Sequence, residues 1–233
     1  MRAEALSDVG LVRKGNEDSY LINANLGLFA VADGMGGCEA GEVASRVAVD
    51  MLEKSVLESD GGDNVLSRAI QAANAAIHYQ AEQNQAYKGM GTTITAVYCS
   101  QEKIYIGHVG DSRAYLISRN QITLLTRDHS LVNELVRGGH ISEEEAKHHP
   151  QRHVITRALG TESQVDIDIL SPVIEAGDRI ILCTDGLSNL VTPEEIVTAL
   201  NTKRDMVRAL QAMVDLALER GGSDNITVLA IEF

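Results

Sequence analysis

The sequence is poor in the features that define several protein classes. It has only 3 cysteines, Cys38, Cys99 and Cys183, an odd number at wide spacings with no C-x-x-C pair, which argues against a disulfide framework and a zinc site. It has only 3 prolines, all isolated, and no Pro/Ser-rich or low-complexity tract, so nothing in the composition marks a linker. No apolar run approaches the roughly 20 residues of a membrane-spanning helix, and the opening Met1-Arg2-Ala3-Glu4 lacks the charged-then-apolar pattern of a secretory leader. Positive charge is scarce as well: 20 Lys and Arg stand against 33 Asp and Glu, a net charge of −13. That balance argues against nucleic acid or an anionic membrane as partner. These absences lead us to expect a soluble, cytoplasmic, monomeric protein.

What remains is a chain of 233 residues, 44% of them hydrophobic, enough for one domain with a substantial core spanning 1–233. Strand-like runs fall at Leu28 to Ala32, Thr92 to Tyr98, Lys103 to Val109, Arg113 to Ile117, Val165 to Leu170, Arg179 to Thr184 and Asn225 to Ile231. Cys183 sits inside one of these runs and reads as core, whereas Cys38, after two glycines, is a candidate exposed thiol. A four-residue spacing of Val43, Val47 and Met51 beside Ala44, Ala48 and Leu52 predicts a helix from about Glu39 to Leu57, followed by a second on Leu66, Ala69, Ile70, Ala73 and Ile77. Thr192 before Pro193 predicts a capped helix start, and Met206, Val207, Leu210, Met213, Val214 and Leu218 mark another amphipathic helix. Paired helices, then neighbouring strands, then helices again indicate α+β with antiparallel sheets, a β-sandwich flanked by helices.

The segment from Asp128 to Thr161 differs from the rest. It carries five of the 7 histidines and few strand formers, and a short helix-like stretch from Leu131 to Val136 ends at Gly138-Gly139. It reads as a surface flap, either a structural excursion or the edge of a substrate entrance.

The main chemical signal is a recurrence of apolar runs that end in aspartate: Leu28 to Ala32 into Asp33-Gly34, Tyr105 to Gly110 into Asp111-Ser112, and Ile180 to Thr184 into Asp185-Gly186. A fourth acidic turn, Gly221 to Asn225, brings Asp224 just before the last strand. A single such Asp is an ordinary turn residue. Four gathered at one end of a sheet would repel one another unless protonated, separated or neutralised by cations. Oxygen donors of this kind suit Mg²⁺ or Mn²⁺, and two ions about 3.5–4 Å apart activate water for phosphoester hydrolysis. Arg13 can grip two phosphate oxygens at once. Glu17 and Asp18 in the adjoining Asn16-Glu17-Asp18 cluster are either solvated or hold metal-bound waters. Gly34-Met35-Gly36-Gly37 lacks the Lys-Ser/Thr of a P-loop and reads as a tight turn whose Gly34 carbonyl is offered to a metal.

In chain order, Gly10-Leu11-Val12-Arg13 with Asn16-Glu17-Asp18, Ala32-Asp33-Gly34-Met35-Gly36-Gly37, Gly91-Thr92-Thr93, Gly110-Asp111-Ser112-Arg113, Thr184-Asp185-Gly186-Leu187 and Ser223 to Val228 resemble the metal-dependent serine/threonine protein phosphatases of type 2C, the PPM family. The stretch His149 to Gly160 resembles the flap of the bacterial branch. The resemblance covers essentially the whole chain and implies an αββα four-layer sandwich with two, or a weaker third, Mn²⁺ or Mg²⁺ ions in a cleft at one end. It implies that Asp33 bridges two ions, the Gly34 carbonyl completes the first site, Asp185 and Asp224 hold the second, and Asp111 joins Asp185 at a third. Arg13 then matches the phosphate-binding arginine, Glu17 and Asp18 the residues that orient metal-bound waters, and Asn225 supports the Asp224 turn. The implied reaction is direct attack of a metal-bridging hydroxide on phosphoserine or phosphothreonine proteins, a Ser/Thr kinase among them, without a phosphoenzyme.

One departure stands out. Many eukaryotic members carry a His where this chain has Met35, which donates no proton. The leaving-group proton must come from a metal-bound water or another residue such as His129 or His153, unless those two serve only flap structure. Two other readings stay open at this point: a small-molecule phosphoester hydrolase using the same site, and an inactive regulatory module of the same fold.

Overall fold

The computed structural model describes residues 1–36, 40–100, 103–203 and 205–233, so Gly37, Cys38 and the expected helix start at Glu39 lie outside the described residues. The strands are β1 (Arg2–Asp8), β2 (Asp18–Asn23), β3 (Leu28–Met35), β4 (Gly91–Thr92), β5 (Ile94–Cys99), β6 (Ile104–Val109), β7 (Arg113–Ser118), β8 (Gln121–Leu124), β9 (Asp168–Leu170), β10 (Arg179–Cys183) and β11 (Ile226–Glu232). The helices are α1 (Ala40–Leu57), α2 (Val65–Gln83), α3 (Leu131–Arg137), α4 (Glu143–Lys147), α5 (Asp185–Ser188), α6 (Pro193–Thr202) and α7 (Met206–Glu219).

Two antiparallel sheets form, one in the order β1-β11-β10-β7-β8, the other β2-β3-β5-β6-β9 with β4 paired to β3. The unbroken apolar run of β3 is explained by burial of both its faces. Leu28, Ala30 and Ala32 point to α1 and α2, while Phe29 and Val31 alternate into the space between the sheets. In β10, Ile181 and Cys183 face α6 and α7, and Ile180 and Leu182 meet Phe29 and Val31 from the other sheet. The layers are therefore helix, sheet, sheet, helix, as the resemblance implied.

The helices lie down on small residues. Ala44, Ala48 and Leu52 of α1 are fully buried, whereas the neighbouring Val43, Val47 and Met51 only flank the core. The alanines let the helix axis approach the sheet, so the inner face is the less hydrophobic of the two stripes visible in the sequence. At α6, Thr192 and Glu195 form a reciprocal capping box with Pro193 in the first turn.

The structure differs from the sequence reading at β1, β2 and β8, which were not among the expected strands, and at the expected strand Thr92 to Tyr98, which is divided into β4 and β5. Within Val165 to Leu170 only Asp168–Leu170 pairs. β1 carries only Ala3, Ala5 and Leu6 as apolar residues, and β8 is a four-residue edge strand. Neither shows the β-branched alternation that marks a strand in sequence.

The 128–161 segment is rooted on both sheets. Arg113 of β7 donates to both Asp128 oxygens at 3.0 and 2.7 Å. At the other root Arg157 Nη1 lies 3.3 Å from Asp168 Oδ1 on β9, and isolated bridges join Ser130 to Ile155 and Leu159 to Thr92. The fully buried Asn74 of α2 holds the return: its Oδ1 accepts from Gly160 N at 2.8 Å and its Nδ2 donates to the Glu162 carbonyl at 3.0 Å. No helix among the described residues is long and apolar enough to cross a membrane.

Candidate functional site

The expected aspartates converge because strands from both sheets end on one side of the sandwich. Asp18 opens β2 directly opposite Asp33 in β3. Asp111 follows β6, Asp185 opens α5 directly after β10 and Thr184, and Asp224 precedes β11. Asp18, from one sheet, is fixed by hydroxyls from the other: its Oδ2 accepts from Thr184 Oγ1 at 2.9 Å and from Thr227 Oγ1 at 2.6 Å. On the opposite flank the Asp33 N–H donates to Thr93 Oγ1 at 2.9 Å, and Thr93 Oγ1 lies 2.8 Å from Ser112 Oγ. These four hydroxyls link the strand ends that carry Asp18, Asp33, Asp111 and Asp185. The sequence motifs contain them, but no role could be assigned, because a Ser or Thr in a strand has no directional signal of its own.

Close backbone approach completes the frame. A Cβ on Gly34 would sit 2.1 Å from the Gly41 carbonyl oxygen and 2.5 Å from that of Glu17, so only glycine admits α1 and the Glu17 turn this near to β3. Gly41 was not singled out in the sequence, although a Cβ there would lie 2.9 Å from the Gly34 carbonyl carbon and 2.8 Å from Glu17 Cδ, so its lack of a side chain also favours this approach. Gly34→Ala is expected to cost about 2 kcal/mol of stability, read as a lowered thermal midpoint, and to weaken Mn²⁺ binding measured by calorimetry.

The cluster's electrostatics are those of carboxylates crowded out of water. Desolvation and then the charges of Asp18, Asp185, Asp111 and Asp224 hold Asp33 well above the usual carboxylate range. Asp18 is pushed up to about 7 by burial, against the pull of the Thr227 and Thr184 hydroxyls. Asp111 also rises to about 7, through burial and then the Asp185 and Asp128 charges. Asp185 is raised by burial and by Asp224, with a contact to Asp33 and the charges of His153 and Arg13 pulling back. Glu17 is raised mainly by burial.

Two buried oxygens in this cluster, Asp18 Oδ1 and Asp185 Oδ1, have no hydrogen-bond partner among the described residues. Unsatisfied buried carboxylate oxygens call for a cation or protons. Among the described residues no three His, Cys, Asp or Glu side chains are grouped so as to hold a metal ion as they stand. An all-oxygen, loosely gathered donor set of this kind fits Mg²⁺ or Mn²⁺, which keep several waters and take few carboxylates each, and does not fit zinc.

Arg13 stands at the rim. Its Nη2 donates to Asp224 Oδ2 at 2.8 Å, and the pair is half-exposed. Asn225 supports the Asp224 turn in two ways: its N–H donates to Asp224 Oδ1 at 2.9 Å, and its side chain acts as a staple, with Oδ1 accepting from Glu17 N at 2.8 Å and Nδ2 donating to the Val9 and Gly15 carbonyls at 2.9 and 3.0 Å. The two flap histidines part company. His129 is buried, with Nδ1 accepting from Gly110 N at 3.1 Å and Nε2 lying 3.3 Å from Asp168 Oδ2. It is thus part of the segment's root, and its ring stands 4.8 Å from that of the buried His108. His153 is exposed.

Comparison with known proteins bears on the family and the fold. A family model described as protein phosphatase 2C matches residues 13–229. The serine/threonine phosphatase stp of Listeria monocytogenes serovar 1/2a is 39% identical over 241 residues, covering 100% of this chain and 96% of the relative. The crystal structure of the Mycobacterium tuberculosis serine/threonine phosphatase PstP/Ppp superimposes with a TM-score of 0.92 at 41% identity, over 100% of this chain and 99% of that one. A structure of the PstP catalytic domain in complex with two manganese ions has a TM-score of 0.86 at 40% identity, covering 98% of this chain and 96% of that one.

Proposed function

The chain belongs to the protein phosphatase 2C family, and from that premise we propose that it removes phosphate from phosphoserine and phosphothreonine in proteins at the carboxylate centre around Asp33. The observation that carries this reading is the mutual crowding of Asp18, Asp33, Asp111, Asp185 and Asp224, with two orphaned oxygens and a guanidinium at the rim. In this reading Asp33, the Gly34 carbonyl, Asp185 and Asp224 would together hold two ions, and Asp111 with Asp185 would hold a third. Glu17 and Asp18 would orient bound waters, and Asn225 keeps the Asp224 turn in place. Bound there, Mn²⁺ or Mg²⁺ would activate water as a nucleophile and absorb charge on the phosphoryl oxygens.

The chain's own groups supply the rest. Arg13 binds the phosphate through its forked donors. Its half-exposed pairing with Asp224 is of a kind worth only about 0–1 kcal/mol, so a phosphate dianion readily displaces it. Met35 has no proton to give, and both ring nitrogens of His129 are engaged at the segment's root. The leaving alkoxide therefore takes its proton from solvent in the cleft or from the exposed His153, whose charge acts on Asp185. The chain works as one monomeric catalytic unit in the cytoplasm, with 128–161 as its flap, and its partners are phosphoproteins, including the Ser/Thr kinase it opposes.

Release of phosphate from a phosphothreonine peptide, compared in Mn²⁺ and in chelator, tests the reading; turnover that persists in chelator overturns it. Arg13→Ala is expected to lower kcat/KM about 100-fold, the loss of one charge-assisted bidentate contact, with Arg13→Lys recovering only part.

A further inference from the structure

Exposed apolar side chains on this protein mostly stand alone, as at Val173 and Val207, but Val9, Leu11 and Val12 are exposed by 37%, 68% and 68% within four residues. Leu11 and Val12 run directly into Arg13. We propose that Leu11 and Val12 form the specificity surface for the residue flanking the phosphorylated side chain, so that this phosphatase prefers phosphothreonine or phosphoserine beside an apolar neighbour. The proposal rests on the reading of the cleft given above.

Three observations carry it. The loop is rigidly mounted on the catalytic turn: Leu11 N donates to the Gly222 carbonyl at 2.8 Å, Asn225 Nδ2 binds the Val9 and Gly15 carbonyls, and Gly10 N donates to Asp8 Oδ1 at 2.8 Å. Gly10 adopts φ +77°, where a Cβ would lie 2.3 Å from the Asp224 carbonyl oxygen, so the loop backbone is in contact with the backbone of the Asp224 turn. The backbone that carries these side chains is thus tied to the Asp224 turn, so little backbone ordering remains to be done when a peptide binds. The patch adjoins Arg13 along the chain and is tied to the turn that carries Asp224, so a peptide whose phosphate reaches Arg13 brings its flanking residues near Leu11 and Val12. Charge agrees with that occupant: Arg13 and the exposed Lys14 form a cationic pair beside the patch in a chain of net charge −13, suited to a phosphate followed by an apolar side chain.

The experiment uses the whole chain in Mn²⁺ with phosphothreonine peptides carrying Leu or Ser on either side of the phosphorylated residue, and a small aryl phosphate as control. Wild type is expected to favour the Leu-flanked peptide about ten-fold in kcat/KM, mainly through KM. In Leu11→Ser/Val12→Ser that preference collapses, while aryl phosphate kcat/KM stays within about two-fold and the melting temperature is preserved. Equal wild-type rates on both peptides, or a parallel loss on the aryl phosphate in the variant, overturn the proposal while leaving the phosphatase reading intact. Failure of wild type on every phosphopeptide overturns both. A wild-type dimer abolished in the variant, with peptide kinetics unchanged, assigns the patch to self-association and likewise overturns it.

Discussion

In Mn²⁺, Asp33→Asn is expected to lose about 10³-fold or more in kcat/KM on phosphothreonine peptide and aryl phosphate alike, several kcal/mol of transition-state stabilisation, and yet to remain folded. The two halves of this outcome come from different atoms. The backbone of Asp33 holds β3 in place: its N–H donates to Thr93 Oγ1, and its carbonyl accepts from Thr93 N at 2.9 Å and from Thr92 Oγ1 at 2.8 Å. Those bonds survive the substitution. The side chain, in contrast, is a desolvated carboxylate pressed by Asp18, Asp185, Asp111 and Asp224, and replacing it by a neutral amide of the same shape relieves that repulsion. In chelator at pH 8 the variant should therefore melt no lower than wild type. Initial rates on both substrates and a melt of each protein check the prediction. A variant within ten-fold of wild type would remove Asp33 from the centre, and an unfolded variant would mean that the carboxylate is structural.

Much of this geometry could be read from the sequence, and the reason is visible at particular residues. Runs such as Leu28 to Ala32 and Ile180 to Thr184 are apolar on both faces because each lies between a helix layer and the other sheet, so they stand out as buried strands. A buried strand that stops at Asp-Gly announces its end, and the ends of several such strands fall on one side of a sandwich. β1 and β8 were invisible for the converse reason, since their apolar content is small or their position is at an edge. The partners that bind the aspartates were also hidden. Thr227 reaches Asp18 across 209 positions and Arg13 reaches Asp224 across 211, distances over which no local pattern carries information. His129 looked available as an acid because its burial comes from Asp168 and Gly110, which only the folded root of the 128–161 segment brings to it.

The same crowding predicts that metal and pH act on stability in opposite senses. Asp18 and Asp111 rise from the ordinary carboxylate value of 3.8 to about 7, and Asp33 is likewise raised well above that ordinary value by burial and its carboxylate neighbours. A carboxyl whose pKa is raised in the folded state binds protons more tightly there than in the unfolded chain. Its stabilising contribution is fully present below about pH 4 and is lost as pH rises through about 7. Buried histidines work the other way: His108 falls to about 4 and His129 is lowered by burial, so both withdraw stability as pH falls below about 6.5. In chelator the raised carboxyls outnumber the lowered histidines, so stability should fall as pH rises from 5 to 8, by about 3 kcal/mol, roughly 10 °C in melting temperature, between pH 6 and pH 8. Divalent cation reverses the alkaline limb, because carboxylate ligands must be deprotonated to bind it. At 100-fold excess over its dissociation constant, Mn²⁺ adds about 2.7 kcal/mol at pH 8 and little at pH 5, so the melting curves in Mn²⁺ and in chelator should diverge as pH rises. Parallel thermal melts from pH 5 to 8 measure this directly. A Mn²⁺ increment that is constant across that range would show that the ions are not held by the groups whose protons they displace, and would move the metal centre away from Asp18, Asp33 and Asp111.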